Sequence, residues 1–331
     1  MLARWFGISL LVTLAVATGL WWLTNPGHSL APIGGSVTDH YAGPHAREGF
    51  GVYFLVPETQ APSDELVSSP PPGHSWSPST PESPDRLIVL IHGLDEPGEI
   101  WNELAPQLHA AGYRVARFEY PNDQAIADSA SLLIHHLELL RSAGTGHVSI
   151  VAHSMGGLVA RDALTRPGID PSLRPAVDRL ITVGTPNHGS SWARGRIVGE
   201  ARERAVRLYD RARHGRTLFP DTATSDSAGQ AGTDLLPGSA YLRELNARPL
   251  PGTPITLIYA AISNAAGLAT DALGDGVVPV DSAQLDGVTD VVALEATHRS
   301  MLRTLVHTPD PNNPPPAFPT IFQRLAATTP R

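Results

Sequence analysis

His147-Val148-Ser149-Ile150-Val151-Ala152-His153-Ser154-Met155-Gly156-Gly157 joins an apolar, β-branched run to a helix-forming one. His147 to Ala152 has the composition of a strand buried on both faces. Met155 to Leu164 is expected to be helical. Ser154 therefore stands at a strand-to-helix turn. Such a turn lifts the serine Oγ clear of the sheet, and it requires small residues two before and two after the serine. Ala152 and Gly156 meet that requirement. The helix N-terminus adds a positive dipole and the backbone N–H of Met155 beside any negative charge that develops there. A small-x-Ser-x-Gly match alone is common, and serine is also a frequent helix cap. The strand before it and the helix after it make Ser154 a candidate nucleophile.

Outward from this turn the pattern repeats. Leu87-Ile88-Val89-Leu90-Ile91 is a continuous apolar run of strand length. Tyr113 to Tyr120, Arg179 to Val183, Ile255 to Ala260 and Val288 to Leu294 read as further strands, and Gly51 to Val56 as a short one. Helices are expected over Glu99 to Ala111 and Gln124 to Arg141. Strands alternating with helices at this spacing imply the α/β class, with a mostly parallel, doubly wound sheet.

Two stretches break the alternation. Pro57, Pro62, Pro70, Pro71, Pro72, Pro78, Pro81 and Pro84 mark a Pro- and Ser-rich stretch expected to be an exposed loop outside any sheet ladder. Between Gly189 and Arg248 no strand pattern occurs. Ser191 to His214 reads as a charged helix, and the Gly- and Ser-rich stretch Asp221 to Gly232 follows. An insertion after a core strand is the usual place for a cap over a site at the strand ends. The expected organisation is a membrane anchor or signal segment over 1–24 and an N-terminal extension over 25–85. An α/β domain over 86–331 follows, with a helical cap insertion at about 189–250.

The whole chain has 331 residues, 42% of them hydrophobic and 17% charged, the balance of a protein with a sizeable core. A net charge of -8 argues against nucleic acid as a partner, because phosphate binding needs clustered Lys and Arg. With no cysteine, disulfides, thiolate catalysis and Cys-based zinc sites are excluded. No metal or cofactor is expected. Trp5 to Leu23 is almost wholly apolar and, as a helix, would span roughly 28 Å, close to a bilayer's hydrocarbon thickness. Arg4 on its N-terminal side predicts an N-terminus in the cytoplasm and an exported remainder. Ala15-Val16-Ala17 offers the rival reading of a cleaved signal peptide, which would leave the protein secreted.

A catalytic serine needs a base, and the base an orienting carboxylate. In this kind of fold both follow the serine, acid before histidine. Asp275, in Gly274-Asp275-Gly276-Val277-Val278-Pro279, follows the 255–260 strand, and His298 follows the 288–294 strand. Each falls in a loop at the C-terminal end of a strand. Asp271, Asp281 and Asp286 are competing acids, and His307 is a competing base. His92-Gly93-Leu94 ends the first buried strand. A turn there can aim the Leu94 N–H at the same point as the Met155 N–H, and two such donors make an oxyanion hole. Gly93 is expected to supply unusual backbone angles for that turn. His153 flanks the candidate nucleophile, and His188 can face the site. With His92 and Gly93 they are the candidates for lining the substrate site.

These segments together resemble the α/β-hydrolase lipases. His92-Gly93-Leu94 is similar to their oxyanion turn, and Ala152 to Gly157 to the nucleophile elbow of bacterial lipases with Ala in place of the first Gly. Gly184-Thr185-Pro186-Asn187-His188-Gly189-Ser190 resembles a lipase segment after the sixth strand. Asp234 to Ser239 and Leu242 to Asn246 resemble the end of the cap. Asp275 to Pro279 and His298 resemble the acid and histidine loops. The resemblance spans about residues 86 to 308 and implies carboxylic, lipid-like esters as substrates. The same machinery also serves acyltransferases and thioesterases, and the fold can act as a non-catalytic, membrane-tethered binding module.

Overall fold

The computed structural model describes residues 50–57, 71–77, 87–94, 98–121, 123–191, 230–262, 274–304 and 313–327. Among these residues eight strands form one sheet: β1 (Gly51–Pro57), β2 (His74–Ser77), β3 (Leu87–Ile91), β4 (Arg114–Glu119), β5 (His147–His153), β6 (Ala176–Val183), β7 (Ile255–Ala260) and β8 (Asp290–Leu294). Their spatial order is β2-β1-β4-β3-β5-β6-β7-β8. Strands β3 to β8 are parallel, and β1 runs antiparallel to both β2 and β4. The helices are α1 (Leu104–Ala110), α2 (Ile126–Ser142), α3 (Met155–Thr165), α4 (Gln230–Asp234), α5 (Ala240–Ala247), α6 (Val280–Ala283) and α7 (Phe318–Ala326).

The unbroken apolar run of β3 follows from its position. Leu87, Val89 and Ile91 face one core, built with Leu133 and Leu137 of α2 and Leu158 and Val159 of α3. Ile88 and Leu90 face the other, built with Leu104 and Leu108 of α1 and Ile321 and Leu325 of α7. A central strand covered on both faces has no solvent side to mark with polar residues. From β3 the chain moves to β4 on one side, then crosses back to β5 on the other. The C-terminal ends of β3 and β5 thus meet at the topological switch point, where open α/β sheets form their sites. His92 leaves one end and Ser154 the other.

The Pro- and Ser-rich stretch differs from the expected loop. It contains β2, whose Ser75, Trp76 and Ser77 pair with Val56, Leu55 and Phe54 of β1. His74 to Ser77 lies between two proline clusters and is itself free of proline, so it can complete a ladder. Trp76 is 1% exposed and lies under the Arg117 guanidinium, 4.6 Å from its ring centroid. Among the described residues the sheet therefore begins at Gly51, upstream of the apolar pattern that starts near residue 86. The helix expected over 99–111 divides into a short 3-10 turn, Glu99–Trp101, and α1. The charged helix expected from Ser191 and the apolar segment Trp5 to Leu23 lie outside the described residues, Ser191 itself excepted. Among the described residues no helix is long and apolar enough to cross a membrane.

The far end of the insertion is tied to the domain by hydrogen bonds. The N–H of Ser190 donates to the Leu235 carbonyl at 2.9 Å. The Asp234 carboxylate accepts the Ile126 N–H at 3.0 Å. It thereby caps α2, whose own cap residue, Ala125, supplies no side-chain acceptor.

Because Trp76 fills the space between β2 and Arg117, Trp76→Ala should lower unfolding free energy by roughly 3–5 kcal/mol. Urea denaturation checks this; a change below about 1 kcal/mol is the expectation for an exposed loop tryptophan.

Candidate active site

Ser154 has φ 53° and ψ -128° and is the one residue other than glycine with positive φ among the described residues. This conformation is held from several sides. Its N–H donates to the Val183 carbonyl at 2.8 Å. Its carbonyl accepts the Thr185 hydroxyl at 2.9 Å and the Gly157 N–H at 3.0 Å. Three glycines make room. A Cβ at Gly156 would lie 2.5 Å from the His92 carbonyl oxygen and 2.6 Å from that of Ile91, so α3 starts directly on the end of β3. One at Gly157 would run into Thr185. One at Gly93 would lie 2.7 Å from Ser154 Cβ and 3.2 Å from its Oγ. Gly93 is not among the left-handed glycines. Close approach to the serine, and not the unusual backbone angle expected of it, is what requires glycine there.

The acid and the histidine form a tight pair. Asp275 is 2% exposed. Its Oδ1 accepts the N–H groups of Val277 at 2.9 Å and Val278 at 2.8 Å, and its Oδ2 faces His298 Nδ1 at 2.7 Å. The His298 N–H donates to the Asp275 carbonyl at 2.9 Å, which fixes the two loops to each other. With Nδ1 as donor to the carboxylate, the neutral ring carries its lone pair on Nε2. The competing acids Asp281 and Asp286 are exposed, and Asp271 and His307 lie outside the described residues.

His298 is brought beside the serine turn. Its ring centroid is 4.7 Å from that of His153, and its carbonyl oxygen is 3.2 Å from His153 Nε2. A Cβ at Gly184 would stand 3.1 Å from His298 Nδ1 and Cε1. Residue 153 precedes Ser154, and residue 184 follows the Val183 carbonyl that binds it. His92 and His153 are both fully buried. His188 is exposed, with its Nδ1 3.4 Å from Asn246 Nδ2. Leu94 is half-buried and Met155 fully buried. The Met155 amide, first in α3, has no acceptor within its own helix. Among the described residues no three His, Cys, Asp or Glu side chains group as metal ligands.

The profile of the alpha/beta hydrolase family matches residues 88–327. The chain belongs to the alpha/beta hydrolase family. No curated protein matches it in sequence. Bacillus licheniformis lipase BlEst2, in its mature form, is similar in structure. The two share 20% sequence identity at a TM-score of 0.50, over 79% of this chain and 96% of that one. A carboxylesterase structure from Nitrososphaera gargenis is 16% identical at a TM-score of 0.45, over 73% of this chain and 90% of that one. At such identities the likeness to BlEst2 speaks for the shared fold.

In this hydrolase domain the link between the serine helix and the acid loop runs through residues to which the sequence reading gave no role. Arg161, on α3, is 3% exposed, and its guanidinium donates to Asn187 Oδ1 at 2.7 Å and Asn246 Oδ1 at 2.9 Å. Burial pushes its pKa down to about 10, so it remains charged near neutral pH. Asn187 in turn donates to the Ala283 carbonyl at 2.9 Å, in α6 just after the acid loop. Ser190 Oγ donates to the Val277 carbonyl. The signal was an Arg161-Asp162 pair inside an otherwise apolar helix. Asp162 is fully buried and binds Arg166, Arg248 and Tyr241.

Asn187→Ala would leave a buried guanidinium short of an acceptor and the Ala283 carbonyl short of a donor. The variant should lose about 2–4 kcal/mol of stability, measured by denaturant unfolding. A loss under about 0.5 kcal/mol would show that the loop is held without this hub.

Proposed function

We propose that this chain is a serine hydrolase of carboxylic esters, with Ser154 as nucleophile, His298 as base and Asp275 as the acid that orients it. The left-handed Ser154 carries this reading. A serine that merely caps a helix sits in the extended region and accepts an N–H with its side chain. Ser154 does neither, and no side-chain cap bond is formed. Strain of this kind costs on the order of 1–3 kcal/mol and is kept where function needs it.

The chemistry follows from the roles of the groups. His298 Nε2 takes the proton as Ser154 Oγ attacks the ester carbonyl. Asp275 holds the ring by Nδ1 and stabilises the imidazolium. The N–H groups of Leu94 and Met155 receive the oxyanion. The imidazolium then protonates the leaving alcohol, and water, activated by the same histidine, releases the acid from the acyl-enzyme. The substrates are lipid-like esters. The apolar segment Trp5 to Leu23 and the long insertion between β6 and β7 in the sequence support that choice, together with an exported domain tethered at, or released from, a membrane.

Ser154→Ala should fold like the wild type and lower ester turnover by more than about a thousandfold. Near wild-type turnover would contradict the nucleophile. In a chain-length series, long-chain glycerides should be cleaved in preference to short soluble esters; the opposite order contradicts the lipid assignment and leaves the ester chemistry standing.

A further inference from the structure

Behind the turn that follows β3 lies a buried charged group whose polar members the proposed chemistry does not use. Arg117 and Glu119 alternate on β4, so both point to the same face of the sheet. Arg117 is fully buried and Glu119 is 3% exposed. Arg117 Nε is 3.0 Å from Glu119 Oε1, and Glu119 Oε2 is 3.5 Å from His92 Nε2. The parallel register Ile91↔Phe118 places Glu119 beside His92. The other nitrogen of that ring, Nδ1, is 2.9 Å from the Gly93 carbonyl oxygen. A carbonyl only accepts, so Nδ1 is the donor, and Nε2 meets the Glu119 carboxylate only with a proton of its own, as the imidazolium of an ion pair.

The consequence lies in peptide geometry. The Gly93 carbonyl and the Leu94 N–H belong to one planar trans unit, so they point in opposite directions. Whatever fixes the carbonyl fixes the aim of the N–H. The preceding unit is fixed as well, since the Tyr120 hydroxyl donates to the His92 carbonyl at 2.6 Å and its ring stacks on His92 at 4.4 Å. The far end of the same loop closes on the same pair. A Cβ at Gly98 would overlap Arg117 Nη1 and Glu119 Oε1.

We infer that Glu119, braced by Arg117, is a positioning residue for the oxyanion hole. It orients the His92 ring, which holds the Gly93 carbonyl and thereby aims the Leu94 N–H at the developing charge. This rests on the serine hydrolase reading and adds to it a distant determinant of kcat. Ground-state binding of the ester does not depend on that N–H, whereas the tetrahedral state does.

The test is steady-state kinetics on a soluble p-nitrophenyl ester, with thermal melts, for wild type, Glu119→Gln, His92→Phe and the double variant. Glu119→Gln should lower kcat roughly tenfold and His92→Phe roughly a hundredfold, the scale of one lost oxyanion donor, with KM within about twofold. The double variant should be no slower than His92→Phe, because Glu119 acts through that ring. Should Glu119→Gln fail to fold, Glu119→Asp is read in its place. It keeps the charge beside Arg117 but draws back from His92, and it carries the same expectation. A folded Glu119 variant with wild-type kcat overturns the inference, as do losses that multiply in the double variant or that appear in KM alone. Wild type that neither cleaves esters nor forms a fluorophosphonate adduct overturns the hydrolase reading itself, and this inference with it.

Discussion

One strained residue organises this molecule. Ser154 can keep φ 53° only because strand β5 delivers it to a junction where Val183, Thr185 and Gly157 bind its backbone from separate elements. Each hold depends on a short distance that a side chain would lengthen. Gly156 lets α3 rest on the end of β3, Gly157 admits Thr185, and Gly93 brings the turn after β3 against the serine. The strain is local, and its compensation is spread over three strands and a helix. The parallel order of β3, β5 and β6 brings those strands side by side, so the site and the fold answer to the same constraint.

The two halves of the site are also tied to each other beneath the surface. Asp275 and His298 sit on loops after β7 and β8, far along the chain from Ser154. They are fixed to the serine helix through Arg161 and Asn187, and to the end of β5 through the ring of His153 under His298. These are buried hydrogen bonds with a charged donor at their centre, the kind that costs much to break and so holds geometry well. The turn after β3 has a comparable brace in Glu119, Arg117 and Tyr120. Rigid support of this sort is what electrostatic catalysis requires, since donors that must reorient lose much of their effect.

Much of this was legible in the sequence, for physical reasons. Strands β3 and β5 to β7 announce themselves as apolar runs because helices cover both their faces. Ser154, Asp275 and His298 stand at strand ends marked by glycine and small residues. Strand β2 was hidden, because its identity comes from pairing with β1 and from burial of Trp76, while the prolines around it read as loop. Arg117 and Glu119 were hidden in another way. Alternating charges on a strand normally mark a solvent face, and here they are buried against each other and His92. Asn187 carried no local signal, since its partners come from α3 and α6 and only the tertiary fold brings them together.

The central claim is that Ser154 is an activated nucleophile. Its most direct test is peptide mapping by mass spectrometry after reaction of the full chain with a fluorophosphonate. A single adduct, on the peptide that carries Ser154 and absent after prior acid unfolding, is the predicted result. An adduct on another residue, or a folded protein that stays unmodified both with and without detergent, would contradict it.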